Sequence, residues 1–148
     1  MNAVIREMIV LPRGEATRYA IAVRTDLEAD LPRVMGDRVQ LQQVVMNLMM
    51  NSIEAMRRVD GTRELIICSQ RGDNEQVVVS VVDTGVGLPP QHVPHIFNAF
   101  FTTKPDGTRM GLRISQSIVE SHGGRLWAAA NPSRGASFHL TLPTGFEA

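Results

Sequence analysis

The chain has 148 residues, 43% of them hydrophobic and 20% charged, and 15 basic residues balance 15 acidic ones. That composition fits one domain, residues 1–148, with a real core, and excludes a disordered chain. A formal net charge of zero gives no long-range attraction to nucleic acid or to an anionic membrane, so neither is expected as a partner.

No apolar run approaches the roughly 20 residues that cross a bilayer, and the first residues lack the basic, apolar and small-residue order of a signal peptide. Cys68 is the single cysteine, which rules out an intrachain disulfide and points to a reducing, cytoplasmic compartment. It follows Ile66 and Ile67 and reads as a buried or half-buried strand residue, with no sequence partner for a nucleophile or ligand role.

Residues 2–19 are helical in pattern, but Pro12 and Gly14 interrupt them. A proline removes a helical hydrogen bond and clashes with the preceding turn, so a kink or stop near Leu11 is expected. Ile21 to Thr25 alternates as a strand, and Leu31 to Gly36 is a turn. Asp37 is a good N-cap for a long helix to about Arg58, with Leu41, Val44, Val45, Leu48 and Ala55 as its apolar stripe. Arg63 to Gln70 and Gln76 to Asp83 are two strands joined by a short turn, a hairpin. Leu88 to Lys104 is loop-rich, with three prolines and one short helix. Residues 108–122 form a helix with Ile114, Ile118 and Val119 inward, ended by Gly123 and Gly124. Arg125 to Ala130 and Ser137 to Leu142 form a closing hairpin. This order predicts an α+β fold, with helices layered on one face of a mostly antiparallel sheet.

Three features carry chemistry. Asn47, Asn51 and Glu54 are spaced to share one stripe of the long helix. Solvated helix faces favour Lys and Glu over paired Asn, and an Asn amide oxygen can enter the oxygen octahedron that Mg²⁺ prefers. Asp83 ends a strand and enters the turn Gly85-Val86-Gly87. A carboxylate there can accept a hydrogen bond from an exocyclic amine, and the glycines let main chain approach a flat ring. Gly107 to Leu112 opens a helix, where N–H groups and the helix dipole hold phosphates. Phe100 and Phe101 precede Lys104, which suits a lid anchored by aromatics with a lysine reaching a terminal phosphate. Together the three features read as an ATP site.

These residues resemble the catalytic and ATP-binding domain of bacterial sensor histidine kinases, in the superfamily shared with DNA gyrase, a heat-shock chaperone and a mismatch-repair ATPase. Asn47 to Ala55 is similar to the family's N box and Asp83 to Gly87 to its first glycine box. Ile96 to Lys104 is similar to its F box, and Gly107 to Leu112 to its second glycine box. Ser117 to Gly124 also fits, and the likeness runs from about Ala20 to Pro143.

The resemblance implies a two-layer α/β sandwich of the Bergerat type and a site for ATP and Mg²⁺ under a lid. It implies transfer of the γ-phosphate to a histidine on a separate dimerisation domain, then to an aspartate on a response regulator's receiver domain. Carried over by position, Asn51 ligates magnesium and Asn47 supports phosphate or metal contacts. Asp83 holds adenine, Gly85 and Gly87 shape its pocket, and Lys104 touches phosphate from the lid. The turn opened by Gly107 supplies main-chain N–H groups, at Gly111 and Leu112, to the phosphates.

Hydrolytic relatives carry a glutamate where this chain has Asn47. An amide is no base at neutral pH, so a water-splitting role lacks its proton acceptor, whereas transfer to an outside imidazole needs mainly positioning. None of His92, His95, His122 and His139 is followed by an acidic residue, as the family's acceptor is. The expectation is therefore a catalytic domain without its acceptor helices. Arg109 and Arg113 stand where the family carries glycine and commonly serine. They leave one alternative, a non-catalytic regulatory or interaction module with a degenerate lid.

Overall fold

In the computed structural model the described residues are 1–10, 13–29, 31–32, 34, 36–56, 61, 63–73, 75–85, 108–130 and 135–144. The predicted loop from Leu88 to Lys104, with its short helix, lies outside them. The elements are α1 (Asn2–Val10), α2 (Arg13–Arg18), β1 (Ala22–Leu27), α3 (Arg38–Met56), β2 (Glu64–Gly72), β3 (Gln76–Asp83), α4 (Thr108–Ser121), β4 (Arg125–Ala130) and β5 (Ala136–Pro143).

Five strands form one sheet in the order β1-β2-β3-β5-β4. β1 runs parallel to β2, and the other neighbours are antiparallel. The mixed, mostly antiparallel sheet and its helices are the α+β arrangement expected from the sequence. The first helix ends at Val10 and a second begins at Arg13, in keeping with the kink or stop expected near Leu11.

Strand periodicity explains the layers. Leu65 and Ile67 of β2, Val77, Val79 and Val81 of β3, and Phe138, Leu140 and Leu142 of β5 are all buried. They alternate along their strands with half-buried residues on the other face. Against the buried face pack Val44, Val45, Leu48, Met49, Ile53 and Met56 of α3 and Val119 of α4. Each such side chain contributes about 1.5–3 kcal/mol by leaving water.

α3 starts where Asp37 caps it: Oδ1 accepts the Gln40 N–H at 3.1 Å. α4 ends in a Schellman turn. The Gly124 N–H reaches the Val119 carbonyl at 3.0 Å, the Gly123 N–H reaches Glu120 at 3.0 Å, and Gly123 has φ of 81°.

One inward assignment is corrected. Ile118 and Val119 are buried, but Ile114 is 45% exposed. The inward stripe of α4 is centred on Leu112, Ser115 and Val119, all at 1% exposure or less. At 100° per residue Ile118 lies at the edge of that stripe and Ile114 beyond it.

Candidate functional site

Asp83 is the last residue of β3 and is 1% exposed. Its Oδ1 accepts two main-chain hydrogen bonds, from Gly85 N–H at 2.8 Å and from Ala136 N–H at 3.2 Å. The second comes from β5, because Ala136 lies one step past the last β3–β5 pair, Val82 with Ser137. Gly135, just before it, has φ of 90°, and a Cβ there would overlap the Asp83 carbonyl. Only glycine meets both demands. The buried carboxylate is thus held from two directions, with Oδ2 also buried.

Gly85 joins this turn to α3. A Cβ on Gly85 would lie 2.7 Å from the Ala55 carbonyl oxygen, so its main chain presses directly on the last turns of that helix. Thr84 ties the same corner a second time. Its Oγ1 accepts the Glu64 N–H at 3.0 Å and donates to the Met56 sulfur at 3.6 Å. The Asp83 turn and the Asn-bearing helix are therefore packed together.

Along α3, Asn51 is buried at 7% exposure, with Asn47 and Glu54 half-buried beside it. Asn47 Nδ2 donates to Ser115 Oγ of α4 at 3.1 Å, which turns its Oδ1 away from Ser115. α3 and α4 run antiparallel, since Asn47 meets Ser115 while Asp37 meets His122 at the far end. Counted one helical turn along each helix, that register leads from Asn47 to Asn51 and from Ser115 back to Gly111. Gly111 closes the first turn of α4, where N–H groups lack helical partners. The next residue, Leu112, is 1% exposed and pins the helix start to the core. The Asp83 turn and the Asn-bearing end of α3 thus share one corner of the sheet, with α4 packed along the same helix.

Among the described residues no three of His, Cys, Asp and Glu gather as a metal cluster. Gly87, Lys104 and Gly107 lie outside the described residues, as does the Arg109 side chain. Arg113 is exposed and, at 100° per residue, faces away from Ser115 and α3.

Three contributors escaped sequence reasoning. Ser115 had a legible signal, a lone hydroxyl on an apolar stripe. The Ala136 N–H and the His122 ring had none, because a main-chain donor looks alike in any strand and a contact across 85 residues leaves no local trace.

Residues 36–145 match the family described as histidine kinase-, DNA gyrase B-, and HSP90-like ATPase. The chain belongs to this family. Among its relatives, the sensor protein FixL of Bradyrhizobium diazoefficiens is 40% identical over 147 residues, which is 99% of this chain but 29% of FixL. The nucleotide-free catalytic domain of histidine kinase ThkA superposes with a TM-score of 0.85 at 33% identity, over 97% of this chain and 92% of that one. ThkA is also known in complex with response regulator protein TrrA, with a TM-score of 0.82 at 32% identity over 98% of this chain and 40% of that one. Full-length ShkA in complex with AMPPNP gives 0.86 at 25% identity, over 99% of this chain and 30% of that one. By family, this is the catalytic domain of a protein-histidine kinase. No helix among the described residues is long and apolar enough to cross a membrane.

Proposed function

We propose that this histidine kinase-like domain binds ATP with Mg²⁺ and donates the γ-phosphate to a histidine on the dimerisation domain of its parent kinase. A response regulator's receiver domain then takes the group up on an aspartate. The chain acts as one catalytic domain, and the acceptor helices belong to a separate part of the parent protein on the cytoplasmic side. The observation that carries the reading is the packed corner, where the clamped Asp83 carboxylate meets the Asn-bearing helix through Gly85 and Ala55.

Asp83 accepts the exocyclic amine of adenine, and Gly85 and Gly87 leave room for the ring. Asn51 holds the metal, and Asn47, oriented by Ser115, faces the phosphates. Main chain around Gly107, Gly111 and Leu112 takes phosphate oxygens, with Lys104 added from the lid. Mg²⁺ held there would supply charge neutralisation at the phosphates. An imidazole nitrogen of the acceptor forms the new bond to phosphorus, the bond to the β-phosphate oxygen breaks, and ADP leaves.

Several observations support transfer over hydrolysis and over a degenerate module. Asn47 is an amide and is engaged with Ser115, so it is no base for water. Arg113 is exposed and does not fill the corner. The ThkA complex with TrrA supports a response regulator as partner.

The test is calorimetric titration with a non-hydrolysable ATP analogue, with and without magnesium. Binding should be tighter with the metal. Asp83→Ala should abolish it in both conditions, and Asn51→Ala should remove the magnesium dependence. An intact chain that binds no nucleotide at millimolar concentration overturns the proposal.

A further inference from the structure

His122 links the two helices that build the phosphate end of the site, at the end far from the nucleotide. Its Nε2 accepts the main-chain N–H of Asp37 at 3.0 Å. That leaves the neutral ring's proton on Nδ1, which donates to the Ile118 carbonyl at 2.8 Å, with Ser121 Oγ also 3.3 Å away. Asp37 is the N-cap of α3, and Ile118 lies in the last turn of α4. One imidazole therefore satisfies the Asp37 N–H at the start of one helix and is itself anchored on the Ile118 carbonyl at the end of the other, which also accepts from Ser121 Oγ at 2.7 Å.

The neighbouring chain is cut to fit this ring. A Cβ on Gly36 would come within 2.5 Å of His122 Cδ2 and 2.9 Å of Nε2. Real Cβ atoms do not approach that closely, so a side chain at 36 would push the imidazole off Asp37.

We infer that His122 is a positioning residue that sets where the start of α4 stands relative to Asn51. The inference rests on the nucleotide reading proposed above and assigns a part of its control. The two helices are joined by polar contacts at two levels, Asn47 with Ser115 and Asp37 with His122. A single such contact is a pivot; two fix both register and angle. Without the His122 rung, α4 can turn about the Asn47–Ser115 contact, and its first turn swings relative to Asn51. His122 lies seven residues of α4, about 10 Å, beyond that contact, and the first turn of α4 lies about 6–10 Å on its other side, so movement at one end is passed to the other as by a lever. Asp83 and the purine pocket are held by β5 and by the end of α3, so they are not on this lever.

The asymmetry gives the test. Titrations of this chain would compare a non-hydrolysable ATP analogue with magnesium against adenosine, which lacks phosphates. His122→Phe keeps a ring and removes both hydrogen bonds. It should weaken the triphosphate analogue by about 3- to 10-fold, the scale of one lost hydrogen bond, and leave adenosine unchanged. His122→Gln presents an amide oxygen to the Asp37 N–H and should recover most of the loss. Gly36→Ala, which leaves the imidazole's chemistry intact, should reproduce the defect, but most of its effect should vanish in a His122→Ala background, where no ring remains to displace and only the 3.1 Å approach to Leu41 Cδ1 is left.

The inference is overturned if His122→Phe lowers the melting temperature yet leaves the analogue's affinity intact. Equal weakening of both ligands overturns it too. A wild type that binds normally beside an unaffected His122→Phe removes the latch alone. A wild type that binds neither ligand removes the nucleotide reading and the latch together.

Discussion

His139 shows how one side chain on the sheet's outer face couples stability to pH. It is half-buried, its Nδ1 lies 2.8 Å from Ser80 Oγ, and its ring stacks on Trp127 with centroids 5.4 Å apart and planes 28° apart. Burial lowers its pKa below the ordinary histidine value. In the unfolded chain the imidazole titrates near pH 6.5, so between that value and the lower folded one the unfolded state holds more protons. Stability from this group is complete above about pH 6.5 and is lost as pH falls towards the folded pKa. Urea midpoints should therefore drop more steeply between pH 7.5 and 5.5 in the wild type than in His139→Gln. Trp127, the only tryptophan, should report the same titration in its fluorescence. Equal pH slopes in the two proteins would remove His139 from the account. Cys68 behaves as its sequence neighbourhood suggested. It is half-buried, and burial followed by the nearby Asp26 raises its thiol pKa, which disfavours a reactive thiolate.

At the scale of elements, α3 does two jobs that conflict at Ser52. The helix must bury one face against the sheet and present Asn47, Asn51 and Glu54 on another. Ser52 falls on the buried side at 0% exposure, and its hydroxyl has no hydrogen-bond partner among the described residues. An unsatisfied buried hydroxyl costs about 1–3 kcal/mol, and alanine is the better helix former. Ser52→Ala should raise stability by about 1 kcal/mol, read as a higher urea midpoint at unchanged slope. Affinity for the ATP analogue should stay the same. If nucleotide binding weakens instead, the hydroxyl belongs to the site rather than to the packing. α4 shows why helix faces are read from all their residues together. Ile114 is as apolar as Ile118 and shares its row, yet only Ile118 lies on the edge of the stripe that α3 and the sheet cover.

For the whole molecule, the sheet order β1-β2-β3-β5-β4 matters because it brings β5 beside β3. Five residues separate β4 from β5, so the hairpin is local, but its docking on β3 joins residues more than fifty apart. That docking delivers Ala136 to Asp83. A ligand that bridges β3, α3 and α4 binds only the folded chain and should stabilise it by mass action. At one hundred times the dissociation constant the gain is about 2.7 kcal/mol, a shift of a few degrees in melting temperature for a domain of this size. The ATP analogue with magnesium should produce that shift, and Asp83→Ala should cancel it.

The sequence alone determined the elements and the motifs they carry. Asp37 as a cap, Gly123 and Gly124 as a stop, the alternation of Val77 to Val81, and the Asn, Asp and glycine motifs all act over a few residues, where side-chain type and period decide the outcome. Only the tertiary structure decided what those motifs rest on. Ser115 orients Asn47, Ala136 and Gly135 hold Asp83, Ala55 meets Gly85, and His122 reaches Asp37. Each of these joins distant parts of the chain, often through main-chain atoms that every residue shares. Which N–H meets a carboxylate is set by strand order and helix register, which no local pattern encodes.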